Sequence, residues 1–242
     1  MSTADFDVLW NFSDPATTEQ KFLALVPDLQ TRPEALLELQ TQLARTHSLR
    51  KQFEQAHQIL DGLQAHLDQV SPRVKVRYLL ERGRTWNSAG EREQASLCFQ
   101  QAFELADQAG LQGFAADALH MLAISKPDQA ISLNHQALDY IVASVDPAAK
   151  KWEGSLLNNL GWSYFADRRF EEALETFQKA LQFREAQGQK EPIRIAWWCI
   201  ARVLRELGHR DAALEIQLRL KAELEAAGSQ DPYVDEELVL LK

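Results

Sequence analysis

Three observations predict an all-α helical repeat. Small residues recur at long, similar intervals: Ala56, Ala95, Ala130, Ala173 and Ala213 are separated by 39, 35, 43 and 40 positions. Large apolar residues accompany them at helical spacing, as in Ala95, Phe99 and Ala102, and again in Ala173, Phe177 and Ala180, the one-sided pattern of an amphipathic helix. Proline and glycine punctuation divides the chain into helix-length segments, and no strand alternation of useful length occurs. One helical hairpin cannot bury its own apolar face, so stacked copies are required.

In chain order, Phe6, Val8, Leu9, Trp10 and Phe12 form a short apolar segment. It is expected to cover the open end of the first repeat, because a repeat array needs caps. Asp14 and Pro15 supply the cap and first turn of a short leading helix, with Phe22, Leu23 and Val26 on its apolar side; Pro27 is expected to limit it. Thr31 and Glu34 have capping-box spacing and open the first helix of the array, with Pro33 in its first turn. A weak first copy of the pattern runs through Leu43, Ala44, His47, Ala56, Leu60 and Leu63. Gly83 and Trp86, followed by Ala95, Phe99 and Ala102, form a clearer second one, with Trp86 expected in a buried place.

The third unit is irregular. Ala118 to Ala123 parallels Leu156 to Gly161, yet Ala130 follows early, so the turn at Ser125 to Asp128 is read as shortened. This leaves open which of Asp117, Ala118 and Leu119 faces a ligand. The fourth unit is Leu156 to Ala180, and the fifth carries Trp197, Ile200, Ala201, Leu204, Ala213 and Leu220. Pro72, Asp146 with Pro147, Pro192, and Asp231 with Pro232 open helices, while Gly90, Gly110, Gly188, Gly208 and Gly228 fall where helices end. The final segment sets Val234, Leu238 and Leu241 on one helical face. It is read as a C-terminal cap, or alternatively as an arm that inserts into a neighbouring molecule. The resulting division is an N-terminal cap at 1–32, hairpins at 33–70, 71–110, 111–144, 145–188 and 189–228, and a capping helix at 229–242.

The stretch LLNNLGWSYFADRRFEEALETFQKA, Leu156 to Ala180, resembles one complete tetratricopeptide repeat (TPR) hairpin. Leu160, Gly161, Tyr164, Ala173, Phe177 and Ala180 stand where that motif alternates large residues with small ones. Gly161 and Ala173 let two helices approach closely, while Leu160, Tyr164 and Phe177 fill the remaining space. Asp167, Arg168 and Arg169 form the polar turn. The repeat intervals exceed the ~34 residues of the standard motif, so the likeness is to the longer-repeat, kinesin-light-chain-like variety. The resemblance implies a right-handed superhelical solenoid of about five hairpins over residues 33 to 228. It says little of function, since the family is a scaffold for many partners.

Composition narrows the function classes. No apolar run approaches the ~20 residues needed to span a bilayer, and the start, MSTADFDVLW, lacks a secretory pattern, so a cytoplasmic protein is expected. A net charge of −9 disfavours nonspecific binding to nucleic acid or anionic membrane. Cys98 and Cys199 lie in helical patterns of different repeats and read as small buried hydrophobes.

The TPR register implies that the first helix of each hairpin lines a concave ligand groove. Carried across residue by residue, the groove positions are Arg45, then Arg77, Arg84 and Asn87, then Asp117 and His120, then Asn158 and Trp162, and finally Trp198, Arg202 and Arg205. The arginines offer planar donor forks for carboxylate or phosphate, and asparagine can clamp a peptide backbone. The second helices are acidic by contrast, with Glu171, Glu172, Glu175, Asp211 and Glu215. A plainer reading stands beside this one: Arg77 and Arg84 pair with Glu81, and Arg202 and Arg205 with Glu206 or the next helix. Trp197 and Trp198 project about 100° apart, which makes Trp197 core and Trp198 the contact. The lysine, asparagine and arginine set of the chaperone-binding carboxylate clamp does not occur.

These readings converge on a non-catalytic module that binds a peptide or extended protein segment, acidic in character, in its concave groove. The alternatives are a homodimer or larger homo-oligomer built through the array ends and C-terminal helix, and a small-peptide sensor. The DNA-binding domain that often precedes such sensors is not expected, because the leader before Thr31 is short. No cofactor is expected. No HExxH, paired CxxC or phosphate-cradling glycine loop occurs, and the histidines lack metal-ligand spacing. Asp117 and His120, three residues apart, are the sole hint of acid–base chemistry.

Overall fold

The computed structural model describes residues 6–242. Among these the structure is helical, with no strand. A 3-10 turn at Phe6–Leu9 is followed by α1 (Pro15–Leu29), α2 (Pro33–Leu49), α3 (Phe53–Gln64), α4 (Pro72–Ser88), α5 (Arg92–Gln108) and α6 (Gln112–Ser125). After a 3-10 turn at Pro127–Gln129 come α7 (Ala130–Ala143), the short α8 (Pro147–Lys150), α9 (Glu153–Ala166) and α10 (Phe170–Gln187). The chain ends with α11 (Lys190–Glu206), α12 (Arg210–Ala226) and α13 (Pro232–Leu241). A third 3-10 turn, Leu67–Gln69, joins α3 to α4.

Local chemistry sets several boundaries. Asp14 caps α1 by accepting from Thr17 N at 3.0 Å, and Asp231 caps α13 by accepting from Tyr233 N at 3.0 Å, so two orphan helix-start donors are satisfied. The tight turns of α4–α5 and α11–α12 place Gly90 and Gly208 at φ 91° and 85°, a region open to glycine without steric penalty. The α2–α3 and α9–α10 turns put Lys51 and Arg168 at φ 61° and 60° instead.

Two sequence expectations are corrected at helix ends. Pro27 does not stop α1, which continues to Leu29. The missing N–H of Pro27 costs one ladder bond near the helix end, while burial of Leu29 in the apolar cluster of α1 and α2 favours carrying the helix on. Thr31 does not cap α2 either: the cap position is Arg32, without a side-chain bond. Glu34 instead accepts from the backbone N–H of Ser71, just before α4, so its carboxylate serves the neighbouring hairpin.

Tertiary contacts divide the chain into two units. The first comprises the residues up to Lys126 together with Ser144–Ala149; the second comprises Pro127–Ala143 and Lys150–Lys242. In the first, Phe6 and Phe22 pack edge to face at 6.3 Å over Leu29, Leu39 and Leu43. Leu9 and Trp10 close the same cluster, whereas Val8 and Phe12 are 76% and 58% exposed. Ala44, Ala56, Leu60 and Leu63 continue the core toward Tyr78, and α4 meets α5 with Gly83 against the ring of Phe99.

In the second unit Gly161 meets Phe177 in the same manner. Around them Leu160, Tyr164, Leu181, Cys199 and Ile200 form the core of α9, α10 and α11. Leu220 and Leu224 of α12 then receive Val234 of α13, as the apolar stripe of the last helix requires. Burying these side chains contributes roughly 1.5–3 kcal/mol for each large one.

Candidate functional site

In the first unit, three of the expected contact residues, Arg45, Arg84 and Asp117, meet from three helices, joined by Glu81. Arg84 on α4 is the centre. Its Nη1 donates to Glu81 Oε1 at 2.7 Å, and its Nη2 to both carboxylate oxygens of Asp117 on α6 at 2.5 and 2.6 Å. Arg45 on α2 donates to the same Glu81 oxygen at 3.2 Å. Burial opposes the charge of Arg84, but the carboxylates of Asp117 and Glu81 outweigh it and raise its pKa. For Arg45 burial prevails, and the pKa falls.

Arg77, one helix turn before Glu81, is 5% exposed and held from two sides. Its Nε pairs with Glu38 of α2 at 2.7 Å, and its two terminal nitrogens donate to the two carboxylate oxygens of Asp7 at 3.0 and 2.9 Å. Glu38 also receives Arg73 at 2.9 Å, and the guanidinium groups of Arg73 and Arg77 lie over the Phe114 ring at 5.1 and 5.0 Å. Although its side chain is 60% exposed, contact with the face partly desolvates the Asp7 carboxylate, which opposes its charge, yet Arg77, with Arg73 and Arg45 nearby, holds its pKa below the usual range. Trp10 Nε1 donates to Gln42 Oε1 at 3.0 Å, and Arg45 covers the stacked rings of Trp10 and Phe12 at 5.3 and 5.1 Å.

Asn87 is half-buried, one turn beyond Arg84 on α4. Asp117 faces Arg84, while Ala118 and Leu119 are fully buried in the core. His120 is half-buried one turn later. Burial pushes its pKa down to about 4, Asp117 opposing and Arg84 assisting, so at neutral pH it is an uncharged imidazole. Trp86 is only half-buried: its ring rests on His57 at 4.0 Å, not in a core place like that of Tyr164.

In the second unit the remaining positions converge on α9 and α11. Asn158 Oδ1 lies 3.7 Å from Cys199 Sγ. Trp162 packs on Phe177 at 5.2 Å and on Trp198 at 5.9 Å. The Arg202 guanidinium lies 5.5, 5.4 and 5.4 Å from the rings of Trp162, Phe165 and Trp198, within cation–π range of all three. Arg205 donates to the two carboxylate oxygens of Glu237 at 2.8 and 3.2 Å and pairs with Glu206 at 2.9 Å. Trp198 Nε1 donates to Tyr233 O at 3.2 Å. Trp197 turns toward α12, beneath Arg219 at 4.3 Å, and both tryptophans are half-buried.

The arginines are therefore not a bare positive lining. Arg84 pairs with Glu81 and Arg205 with Glu206, as the plainer sequence reading has it, and further acids come from Asp7, Glu38, Asp117 and Glu237. Glu38 and Glu237 are 3% exposed and escape a charge-sign reading of the sequence. Their signal is positional: Glu237 shares the spacing of Val234 and Leu241, the buried stripe of α13. Asp7 carries no such signal, because its partner lies 70 residues away. Among the described residues no group of three or more His, Cys, Asp or Glu side chains is arranged to hold a metal ion.

A tetratricopeptide repeat family model matches residues 154–186, the α9–α10 hairpin. Solved structures extend the likeness. BtubC (BKLC) from P. vanneervenii is 16% identical, over 95% of this chain and 94% of that one, with a TM-score of 0.69. The fold is TPR-like. A Podosopora anserina kinesin light chain protein with nearly identical TPR-like repeats is 17% identical over 76% of this chain and 92% of that one, TM-score 0.60. A chain of the APC/C hetero-tetramer Cut9-Hcn1 is 20% identical over 95% of this chain and 40% of that one, TM-score 0.64. No curated protein matches the sequence. Helices α2, α4 and α6 carry the Arg84 network; α9, the first helix of the matched hairpin, carries the Trp162–Arg202–Trp198 cluster together with α11. No helix among the described residues is long and apolar enough to cross a membrane.

Proposed function

We infer that the protein is a non-catalytic interaction module that holds an extended segment of another protein against its TPR first-helix faces. One observation carries this reading: Arg45, Arg84 and Asp117, on three successive first helices, are joined with Glu81 into a single oriented network. Buried ion pairs are poor stabilisers compared with apolar packing of the same volume. A network at this place is better explained by holding polar groups in fixed positions for recognition. Asn87 is placed to meet a peptide backbone beside it, and the half-exposed rings of Trp162 and Trp198 offer apolar contact in the second unit. Membership of a TPR-like chain in the Cut9-Hcn1 assembly is in keeping with such a role.

The test is affinity capture from lysate with the wild-type protein beside Arg84→Gln and Arg202→Gln variants, all verified as folded by circular dichroism. Loss of the same captured protein from at least one variant, followed by a direct titration with that protein, supports the reading. Capture unaffected by both substitutions removes the first-helix faces from the binding role.

A second reading is self-assembly through α13, favoured by its exposed Tyr233, Val239 and Leu240 at 62%, 70% and 54%. Light scattering of the wild type and a Val239→Glu, Leu240→Glu variant decides it: a mass that drops from a multiple to that of one chain supports assembly, and an unchanged single-chain mass ends it.

A further inference from the structure

We propose that residues 6–12 are a built-in ligand of the α2–α4–α6 face, displaced when a partner presents a segment of the same pattern: an aromatic residue, an acid directly after it, and a large aromatic three positions beyond the acid. This rests on reading that face as a binding surface and names the chemistry it takes. In the segment itself the pattern is Phe6, Asp7 and Trp10, with Phe12 stacked on Trp10 at 5.0 Å.

The charges of the face require an acid where Asp7 stands. Four guanidinium groups line it, from Arg45, Arg73, Arg77 and Arg84. Three carboxylates of the helices face them, from Glu38, Glu81 and Asp117. Four positive charges against three negative ones leave one positive charge, and the Asp7 carboxylate cancels it. Without Asp7 the two terminal nitrogens of Arg77 would have no carboxylate, Glu38 reaching only its Nε, and unmet donors in an enclosed place are costly, so the face favours one further carboxylate.

The burial of the two partners shows which is receptor and which is ligand. Arg77 is fixed from behind by Glu38 and from the side by Phe114, so its donor fork is already aligned. Asp7 is 60% exposed, in a single 3-10 turn that also leaves Val8 at 76%. Only Phe6 is fully enclosed, by Phe22 and its neighbours. Trp10 and Phe12 lie under Arg45, with the indole N–H directed to Gln42. A bidentate arginine–carboxylate pair combined with cation–π contact gives direction and selectivity to a short segment, and it favours a carboxylate-bearing peptide over a polyanion, which the net charge of −9 repels.

The test uses the full chain and a fluorescein-labelled peptide with the sequence of residues 6–13. Three proteins are titrated by fluorescence anisotropy: wild type, Asp7→Lys and Asp7→Asn, each first shown to be folded by thermal melting. In the wild type the chain's own segment occupies the face, so the apparent affinity is reduced by the fraction of molecules that are closed. The peptide is expected to bind Asp7→Lys roughly tenfold or more tightly than wild type, with Asp7→Asn in between. A peptide with Lys in place of its acid is expected to bind none of them. The isosteric Asp7→Asn protein carries the test if Asp7→Lys does not fold.

Equal binding of the peptide to all three proteins, or none to the folded variants, overturns the proposal. Its failure is separable from that of the wider reading. A captured partner that is lost on Arg84→Gln but binds wild type and Asp7→Lys equally leaves the face as an interaction surface and removes the displacement step. No peptide binding, together with a partner indifferent to Arg84→Gln, overturns both.

Discussion

Phe177 lies so close across Gly161 that a methyl group on the glycine would come within 2.6 Å of the ring carbon Cε1. Phe99 stands in the same relation to Gly83, at 2.5 Å. Helix packing at this separation has no room for a side chain, and an interior packed to crystal density resists local expansion. Gly161→Ala is expected to destabilise the protein by about 1–3 kcal/mol through overpacking. Gly62, within α3 and with nothing within 4 Å of its added methyl group, is expected to respond in the opposite sense, gaining roughly 0.5–1 kcal/mol as alanine. Denaturant melts of the two variants beside wild type check both signs.

Lys51 adopts φ 61° in the turn where other hairpins use Gly90 and Gly208. A side chain in this left-handed region costs roughly 1–2 kcal/mol. Lys51→Gly is therefore expected to raise the thermal midpoint by a few degrees, and an unchanged or lower midpoint would show that Lys51 makes a compensating contact.

Acid sensitivity should begin near neutral pH. Burial lowers the pKa of His120 to about 4, and burial with the neighbouring Arg82 charge lowers that of His57. An unfolded histidine takes a proton near pH 6.5, so between there and pH 4 the unfolded state binds protons that the folded state does not. Stability contributed by neutral His120 is thus complete above pH 6.5 and is lost as pH falls toward 4, by up to about 3 kcal/mol. Unfolding free energies at pH 7.5, 5.5 and 4.5 are expected to fall more steeply for wild type than for His120→Gln.

Glu237 anchors α13 through its two bonds to Arg205, inside a contact that is almost closed to solvent. Glu237→Gln is expected to cost roughly 1–3 kcal/mol by weakening a charge-assisted pair, read as faster amide exchange within α13. Asp235→Asn, which breaks the more exposed pair with Lys221, is expected to change exchange little.

The two thiols should differ in reactivity. Burial raises the Cys199 pKa to about 12, with Arg202 opposing, and Cys98 is raised less strongly. Since the thiolate is the reactive form, a disulfide reagent at pH 7.5 is expected to label Cys98 slowly and Cys199 hardly at all, while both react at once in denaturant. Rapid labelling of two thiols in the native protein would contradict the burial of Cys199.

Much of the helical order is legible in the sequence because its determinants act within a few residues. Asp14 caps α1, Asp231 caps α13, and Gly90 and Gly208 turn the chain, each through bonds or dihedrals that local spacing expresses. Even the Gly161–Phe177 contact is foreshadowed, since a small residue on one helix and a large one at a regular distance along the next is a pattern of the chain itself. Thr31 and Pro27 mislead for a shared reason: the long-range contacts of Glu34 and Leu29 override a local rule.

The sequence by itself determines the all-α class and the order of the main helices, and it proposes which positions share a helix face. Only the tertiary structure decides what those positions carry. Arg84 meets Asp117 from 33 residues away, Arg205 meets Glu237 from 32, and Arg77 meets Asp7 from 70. Net charge and helical register count such arginines as available, whereas stacked helices bring carboxylates against them. Coulomb attraction and desolvation depend on distance and burial in space, so whether a charge is free, cancelled or waiting for a ligand is settled only when the repeats are packed.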